Sequence, residues 1–356
     1  MKIFTLSENR ESTLPQGRAD FLLAASVTRT CEIPGITQAG IPGKIPLTPT
    51  LDAEFLVTGK VFSLENMAET ASGIPTPGLL TRAVEVLTPF STLKVLDLGL
   101  AIEPQQIETV KMGLSASPSI TDTISFDAKA VFEKGRTYAH DYRPVGDYVI
   151  LGESTPSGTT TAQAAITAMG LKSSGLFASS FKEAPLSIKE ETLKKTLAKL
   201  NNGMGLYEKL GHTADQTLLF AAGFMLEASK RFHVVLGGGT QMAAALLIAD
   251  ALSTKESIWF DPRKITLCTT GWIAKDGASD INALLEQLSF RVKAVYADFR
   301  YEDAQIPVLK LYDEGEAKEG FGAGAAIAYG YMHGRTQAEI TAEVERSMMA
   351  MAGGES

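Results

Sequence analysis

The stretch Asp147–Gly170, DYVILGESTPSGTTTAQAAITAMG, decides the fold that the sequence predicts. Its residues Tyr148–Leu151 are aromatic, β-branched or aliphatic, a pattern typical of a short buried strand. A loop rich in Ser, Thr and Gly follows, and Ala162–Met169 then has good helix propensity. The stretch therefore predicts a strand, a tight loop and a helix in direct succession.

The loop between this strand and this helix predicts an anion-binding site. Backbone N–H groups at the start of a helix lack helical partners, and the helix dipole there favours negative charge. Gly158 lets the backbone come close to a phosphate or carboxylate, while Ser and Thr hydroxyls add donors. Glu153 is expected where the strand ends, and a carboxylate beside an anion site indicates chemistry rather than binding alone. A tight turn with a Ser or Thr helix cap explains the same loop equally well.

Similar units recur along the chain. Strand-like runs are predicted at Phe21–Val27, Lys94–Leu100, Phe232–Leu236, Ile265–Thr270 and Lys293–Ala297. Helical patterns lie between several of them, at Ser187–Asn201, Thr213–Ser229 and Met242–Leu252. Strands that alternate with helices predict an α/β fold with a Rossmann-like parallel sheet and helices on both faces. Ligands collect at the carboxyl ends of such strands, so the loops after Leu151, Leu236, Thr270 and Ala297 are expected to converge.

The N-terminal third differs in composition from the rest of the chain. Thr28–Pro49 is rich in Pro and Gly, which excludes regular helix and central strand, and a loop of this length is typical of function or of an assembly contact. Leu51–Gly59 and Lys60–Phe62 are predicted to return to strand. The segment that starts at Glu69 predicts a turn followed by a helix.

Composition bounds the class of protein. The chain has 356 residues, of which 45% are hydrophobic and 21% charged, and a net charge of -8. The negative charge argues against nucleic acid as a partner, although it leaves room for a small phosphorylated ligand. Two cysteines, Cys31 and Cys268, do not indicate a disulfide-stapled secreted fold. Because no signal peptide or membrane-spanning run is recognisable, a cytoplasmic protein without a membrane partner is expected.

Known site signatures are mostly missing. The sequence contains neither a P-loop nor a complete dinucleotide fingerprint, and its four histidines lack metal-ligand spacing. The glycines Gly237–Gly239 are explained equally well by close packing of a helix on a sheet. The acidic run Asp313–Glu319 is typical of a surface loop, but it directly precedes a second glycine-rich helix start, Gly320–Ile327.

Three ordered segments resemble a known family. Gly152-Glu153 followed by Gly158-Thr159-Thr160 resembles the GE…GNTT phosphate loop of CobT-type nicotinate-nucleotide:dimethylbenzimidazole phosphoribosyltransferases. Val234–Gly239, leading into Ala243–Leu246, is similar to that family's VLLDGF…AAAL unit. Gly320–Ala326 resembles its GEGSGAA loop. The likeness covers about the C-terminal two-thirds, while CEIPGITQAG and LTPTLDAEF resemble a divergent archaeal and cyanobacterial branch.

The resemblance implies an architecture and a reaction. It implies a large α/β domain at residues 18–330, with residues 1–17 and 331–356 forming a small helical domain or a dimer contact in a homodimer. The implied reaction moves phosphoribose from nicotinate mononucleotide to a base, a benzimidazole or a purine, that becomes the lower ligand of a cobamide. No metal or other cofactor is implied.

The resemblance also assigns residues. Glu153 takes the role of the loop carboxylate near the ribose, where it stabilises positive charge at the anomeric carbon. Phe321 and Gly322 fall in the acceptor pocket. The implied phosphate and nucleotide residues are Gly152, Ser157, Gly158, Thr159, Thr160, Gly237, Gly238 and Gly239.

One departure from the family concerns the catalytic base. Phe321 stands where the family has the Glu that deprotonates the incoming base, and Gly237 replaces the acidic residue of the second unit. Glu319 is the candidate replacement for the base. Two alternatives stay open: a non-catalytic protein that binds a nucleotide or phosphate ligand, and a different glycosyl or phosphosugar transfer on the same scaffold.

Overall fold

The computed structural model describes residues 2–64 and 69–352, in which strands and helices alternate over most of the chain. The strands are β1 (Ile3–Thr5), β2 (Ala19–Ala25), β3 (Thr92–Asp97), β4 (Thr109–Lys111), β5 (Tyr148–Ser154), β6 (His233–Gly237), β7 (Ile265–Thr270) and β8 (Lys293–Ala297). The helices are α1 (Thr48–Thr58), α2 (Gly78–Leu87), α3 (Ala128–Asp141), α4 (Gly158–Ala168), α5 (Leu186–Leu197), α6 (Leu206–Thr213), α7 (Gln216–Ala228), α8 (Thr240–Glu256), α9 (Gly271–Ala274), α10 (Ile281–Leu285), α11 (Ala323–Met332) and α12 (Gln337–Ala352).

The strands of the described residues form one eight-stranded sheet in the order β1-β8-β7-β6-β5-β2-β3-β4. Every neighbouring pair is parallel except β1 and β8, which are antiparallel. The central strands are buried on both faces, which is the usual condition of a parallel sheet covered by helices. The predicted fold class, a mostly parallel α/β sheet with helices on both faces, is confirmed.

Side chains of β5 alternate between two hydrophobic cores. Val149 and Leu151 pack into the core that includes residues of α3, α4, α7 and α8. Tyr148 and Ile150 face the opposite core, with residues of α1, α2, α11 and α12. This period of two follows from strand geometry.

The chain reverses direction across the sheet between β2 and β5. These strands are adjacent, but β2 leads to β3 on one side and β5 leads to β6 on the other. In open α/β sheets such a switch point leaves a crevice at the carboxyl ends of the strands, where ligands bind. The loops that follow Ala25 and Ser154 therefore begin at this crevice.

Two neighbouring predicted strands, Leu51–Gly59 and Lys60–Phe62, are wrong. Most of Leu51–Gly59 belongs to the helix α1, where every residue from Thr48 to Leu56 is buried. A helix that is buried on all sides has no solvent-facing polar side, so its sequence does not show apolar residues at the spacing of three to four that predicts a helix. The boundary signals are nevertheless present, since Pro49 suits a first helical turn and Gly59 ends the helix with a φ of 77°. Residues 60–62 are irregular.

The terminal segments pack against the main body. Residues 3–5 add β1 to the sheet beside β8, and α12 contributes Ile340 and Val344 to the core shared with α2 and α11. The division into residues 18–330 and two terminal segments stays a prediction, and residues 1 and 353–356 lie outside the described residues. None of the described helices is long and apolar enough to cross a membrane.

Candidate active site

A cleft lies at the carboxyl ends of β5, β6 and β7. It encloses about 960 Å³, including the part that is open to solvent. Residues 153–159, 239–241, 273 and 317–321 line it, so the loops after three of the four predicted strands converge. The loop after β8 supplies none of the described lining; its Asp298 binds Lys275 instead, at 2.7 Å. Thr37, Ala39 and Gly40 of the Pro/Gly-rich region also line the cleft, as do Thr48 and Asp52.

The start of α4 forms one wall of the cleft. Ser157, Gly158 and Thr159 line it, with Ser157 at a φ of 67°, a left-handed conformation that costs a non-glycine residue about 1–2 kcal/mol. Among the described residues, Ser157 Oγ and Gln241 Nε2 are buried without a hydrogen-bond partner, as is Thr160 Oγ1 one turn further along. Unpartnered donors at a helix start fit the predicted anion site.

The glycines assigned to nucleotide binding have different positions. Gly239 lines the cleft. Gly152 and Gly237 pack tightly against the loop before α11: a Cβ on Gly237 would lie 2.9 Å from Gly322 Cα, and a Cβ on Gly152 would lie 2.9 Å from the Phe321 carbonyl oxygen. The lack of a Cβ at both glycines lets this loop rest on the ends of β5 and β6. A Cβ on Gly238 would lie 2.6 Å from Met242 Cγ. Contact of Gly152, Gly237 or Gly238 with a phosphate stays a prediction.

Glu153 is a buried carboxyl that lines the cleft at the end of β5, with 7% of its surface exposed. Burial raises its pKa to about 8, and the nearby carboxyls of Glu319 and Asp215 act in the same direction, while the Thr155 N–H opposes them. A pKa near neutrality suits a group that gains or loses a proton during turnover.

Glu319 also lines the cleft, but four donors hold its carboxylate. Oε2 accepts hydrogen bonds from Thr270 N (2.8 Å) and Thr269 Oγ1 (3.1 Å), and Oε1 accepts from Gly320 N (3.2 Å) and Gly324 N (3.3 Å). Burial raises its pKa to about 7, although these four bonds favour the ionised form. Glu319 thus joins the start of α11 to the end of β7; its role as catalytic base stays a prediction.

Phe321, predicted for the acceptor pocket, is both a lining residue and a structural one. Its φ is 61° and only 1% of it is exposed. Its N–H donates to the Glu153 carbonyl oxygen (2.8 Å), and its own carbonyl oxygen accepts from Thr81 Oγ1 (3.1 Å). These bonds fix the loop directly beside Glu153. Gly322 follows in a left-handed conformation at a φ of 66°.

Two buried charged residues of the lining, Asp52 and Lys318, are not predicted from the sequence. Asp52 is 3% exposed; its Oδ2 accepts from Ser154 Oγ (2.7 Å) and its Oδ1 has no hydrogen-bond partner among the described residues. An acidic residue inside an apolar run was the available signal. Lys318 is 4% exposed, and its Nζ lies 3.4 Å from Asp276 Oδ2. Its position within the acidic run Asp313–Glu319 indicated a surface loop, so nothing in the sequence indicated that it is buried. Within the described ranges no group of three or more His, Cys, Asp or Glu residues is placed to hold a metal ion.

The predicted anion site at the start of α4 can be tested with Gly158→Ala, which should weaken binding of a nucleoside monophosphate about tenfold, the loss expected when about one charge-assisted hydrogen bond is removed. A Cβ there would lie 2.0 Å from Gln241 Oε1, the end of a flexible side chain, so Gln241 moves into the space at the start of α4 while the fold survives. Calorimetry with nicotinate mononucleotide measures the effect. Gly205→Ala at the start of α6, with nothing within 4 Å, is the matched control; equal affinities in both variants would contradict the assignment.

Solved structures of CobT-type proteins share the fold of this chain, although no protein-family model matches it. CobT of Thermus thermophilus superposes with a TM-score of 0.56 at 18% identity, over 93% of this chain and 84% of that one. A nicotinate-nucleotide-dimethylbenzimidazole phosphoribosyltransferase structure from the same organism gives 0.54 at 17% identity, over 96% and 86%. The resemblance to CobT-type proteins is therefore confirmed in the fold.

Curated relatives of this chain include archaeal proteins. UPF0284 proteins of Archaeoglobus fulgidus and Aeropyrum pernix are each 31% identical, over 96% and 95% of this chain and 97% and 94% of their own lengths. A UPF0284 protein of Halobacterium salinarum is 34% identical over 86% of this chain and 91% of its own length. These relatives agree with the predicted divergent archaeal branch. The chain belongs to the UPF0284 family, and its fold is that of CobT.

Proposed function

We propose that the protein transfers phosphoribose from nicotinate mononucleotide to a nucleobase-type acceptor, a benzimidazole or a purine, in assembly of the lower ligand of a cobamide. One observation carries the proposal: the start of α4 and the carboxyl of Glu153 face the same cleft, at the carboxyl ends of the strands of a CobT-like sheet. At the start of α4, Ser157 Oγ and Gln241 Nε2 are the donors for a 5′-phosphate. Glu153 supplies a carboxyl for the ribose.

The proposed role of Glu153 is electrostatic. As the bond between the anomeric carbon and the nicotinate nitrogen breaks, positive charge grows on the sugar, and a fixed carboxylate close to it lowers the barrier. The pKa of about 8 leaves Glu153 largely protonated at pH 7 before the donor binds. The positively charged nicotinate ring of the donor favours the ionised form, because an opposite charge lowers the pKa of a carboxyl.

Release of nicotinate tests the proposal. The purified protein is incubated with nicotinate mononucleotide and a panel of benzimidazoles and purines, and both nicotinate and the new nucleotide are identified by mass spectrometry. Release that depends on an acceptor supports transfer. The absence of release with every acceptor would exclude the transferase.

We also propose that the protein forms a homodimer. Analytical ultracentrifugation of the purified protein tests this.

The position of Phe321 favours one alternative, a non-catalytic protein that binds a nucleotide or another phosphate ligand. An aromatic side chain cannot act as the base that the family has there. Calorimetry that shows binding of nicotinate mononucleotide, together with no turnover for any acceptor, would support this alternative over the transferase.

A further inference from the structure

The proposed transfer needs a group that removes a proton from the incoming base. Phe321 cannot do this, and the carboxylate oxygens of Glu319 already accept four hydrogen bonds. We propose that Asp52 is this group: it accepts a hydrogen bond from the ring N–H of a flat heterocyclic base and takes its proton. The inference rests on the proposed function and assigns its acceptor subsite.

The first argument is the unsatisfied oxygen of Asp52. Its Oδ1 is buried and has no partner among the described residues, although the residue lines the cleft. An unpaired buried carboxylate oxygen is costly, since it has lost its water without gaining a donor. A ligand that carries an N–H would supply the missing bond. Burial also raises the pKa of Asp52 to about 7, while the hydrogen bond from Ser154 and the nearby Thr76 hydroxyl oppose that rise, and a pKa near neutrality suits a proton acceptor.

The second argument is position. Ser154, which donates to Asp52, is the last residue of β5 and directly follows Glu153. The end of a single strand therefore orients both carboxyls at one cleft. The bond joins residues that are 102 positions apart, so it fixes α1 against β5 and holds the Asp52 side chain in a defined place.

The third argument is the character of the surrounding wall. Ile74, Pro75 and Pro77 line the cleft together with Asp52, and Thr70 and Thr76 of the same segment add hydroxyl groups; apolar side chains with a few placed polar groups are typical of sites for small ligands. A phosphate would be repelled by Asp52, whereas the start of α4 attracts one. The cleft thus has two parts. The part at the start of α4 binds an anion, and in the part at α1 the Asp52 carboxylate accepts a hydrogen bond from an N–H of the base.

The proposed step exchanges one bond at the anomeric carbon and moves one proton. The unprotonated ring nitrogen of the base forms a bond to the anomeric carbon with its lone pair, while the bond from that carbon to the nicotinate nitrogen breaks and its electron pair stays on nicotinate. The alkylated base is now a cation. Its other ring nitrogen passes its proton to the Asp52 carboxylate, which leaves a neutral nucleotide product and a protonated Asp52 that returns the proton to solvent.

Binding measurements test the subsite without requiring turnover. In the absence of a phosphoribosyl donor, so that no transfer consumes the base, the wild-type protein should bind benzimidazole at least about tenfold more tightly than 1-methylbenzimidazole, which lacks the N–H, because a hydrogen bond to a charged group contributes about 1.5–3 kcal/mol. Asp52→Ala should abolish this preference. Equal affinities for the two compounds in the wild-type protein, or a preference that survives in Asp52→Ala, would overturn the proposal.

Transfer measurements separate the two proposals. Asp52→Asn keeps the side-chain shape and should lower the rate of benzimidazole transfer at least about tenfold, within the range of a general base, with unchanged affinity for nicotinate mononucleotide. Asp97→Asn is the matched control, because Asp97 holds the Gly99 and Leu100 N–H groups at the end of β3 outside the cleft. Full activity in Asp52→Asn would refute the role of Asp52 alone. An inactive wild-type protein would refute the proposed transfer, and the benzimidazole preference would still decide the subsite.

Discussion

Glu153→Gln is expected to lower the rate of phosphoribosyl transfer by about two orders of magnitude or more, the usual loss when one positioned charged or acid–base group is removed. Glutamine has nearly the same shape, so the fold and the hydrogen bond from Phe321 N to the residue 153 carbonyl oxygen should persist. What is lost is the ability to carry negative charge beside the ribose.

The same substitution should raise thermal stability at high pH. The folded state raises the pKa of Glu153 from 4.5 to about 8. Its contribution to stability is therefore complete below pH 4.5 and is lost progressively as the pH rises through 8, because the unfolded chain ionises more readily. A neutral glutamine avoids that loss. Each unit of pKa shift corresponds to about 1.4 kcal/mol, so the Tm of Glu153→Gln should exceed that of the wild type at pH 8 and match it near pH 4.5.

Glu85→Gln separates the effect of the site from the effect of burial. Burial also raises the pKa of Glu85, whose carboxylate accepts a hydrogen bond from Phe90 N, but this side chain lies outside the cleft lining. Its glutamine variant should transfer phosphoribose at the wild-type rate. Wild-type turnover in Glu153→Gln would remove Glu153 from the mechanism, and a Tm difference independent of pH would remove the electrostatic explanation.

Six strands, β2, β3 and β5 to β8, could be predicted from the sequence because they are apolar runs of five to seven residues, whereas the edge strands β1 and β4 have three residues each and are too short to give such a pattern. The same local pattern located Glu153 and the start of α4, which lie within one continuous stretch. Asp52 could not be located in this way, since its place depends on a bond to Ser154 across 102 positions. The glycine runs predict contact with a nucleotide. The tight packing of Gly237 against Gly322 could not be predicted, because the two residues meet only in the folded protein.

Gly324→Ala is expected to destabilise the protein by about 3 kcal/mol or more, at or above the upper end of the usual cost of overpacking. Gly324 lies in the first turn of α11, where a Cβ would be 2.0 Å from the carbonyl carbon of Thr269 and 2.3 Å from its oxygen. These are backbone atoms of β7, which cannot rotate away as a side chain can. The helix must therefore move off the sheet.

Such a movement also reaches the cleft, because Gly324 N and Thr269 Oγ1 both donate to Glu319. Gly330→Ala in the same helix is the matched control: its Cβ would be 3.4 Å from Val84 Cγ2, and alanine is favoured over glycine in a helix by about 1 kcal/mol. Urea unfolding should therefore show a large loss of stability for Gly324→Ala and little change or a gain for Gly330→Ala. Equal stabilities would mean that α11 can shift freely on β7, and Glu319 would then lose its role as the anchor of the loop that holds Phe321 beside Glu153.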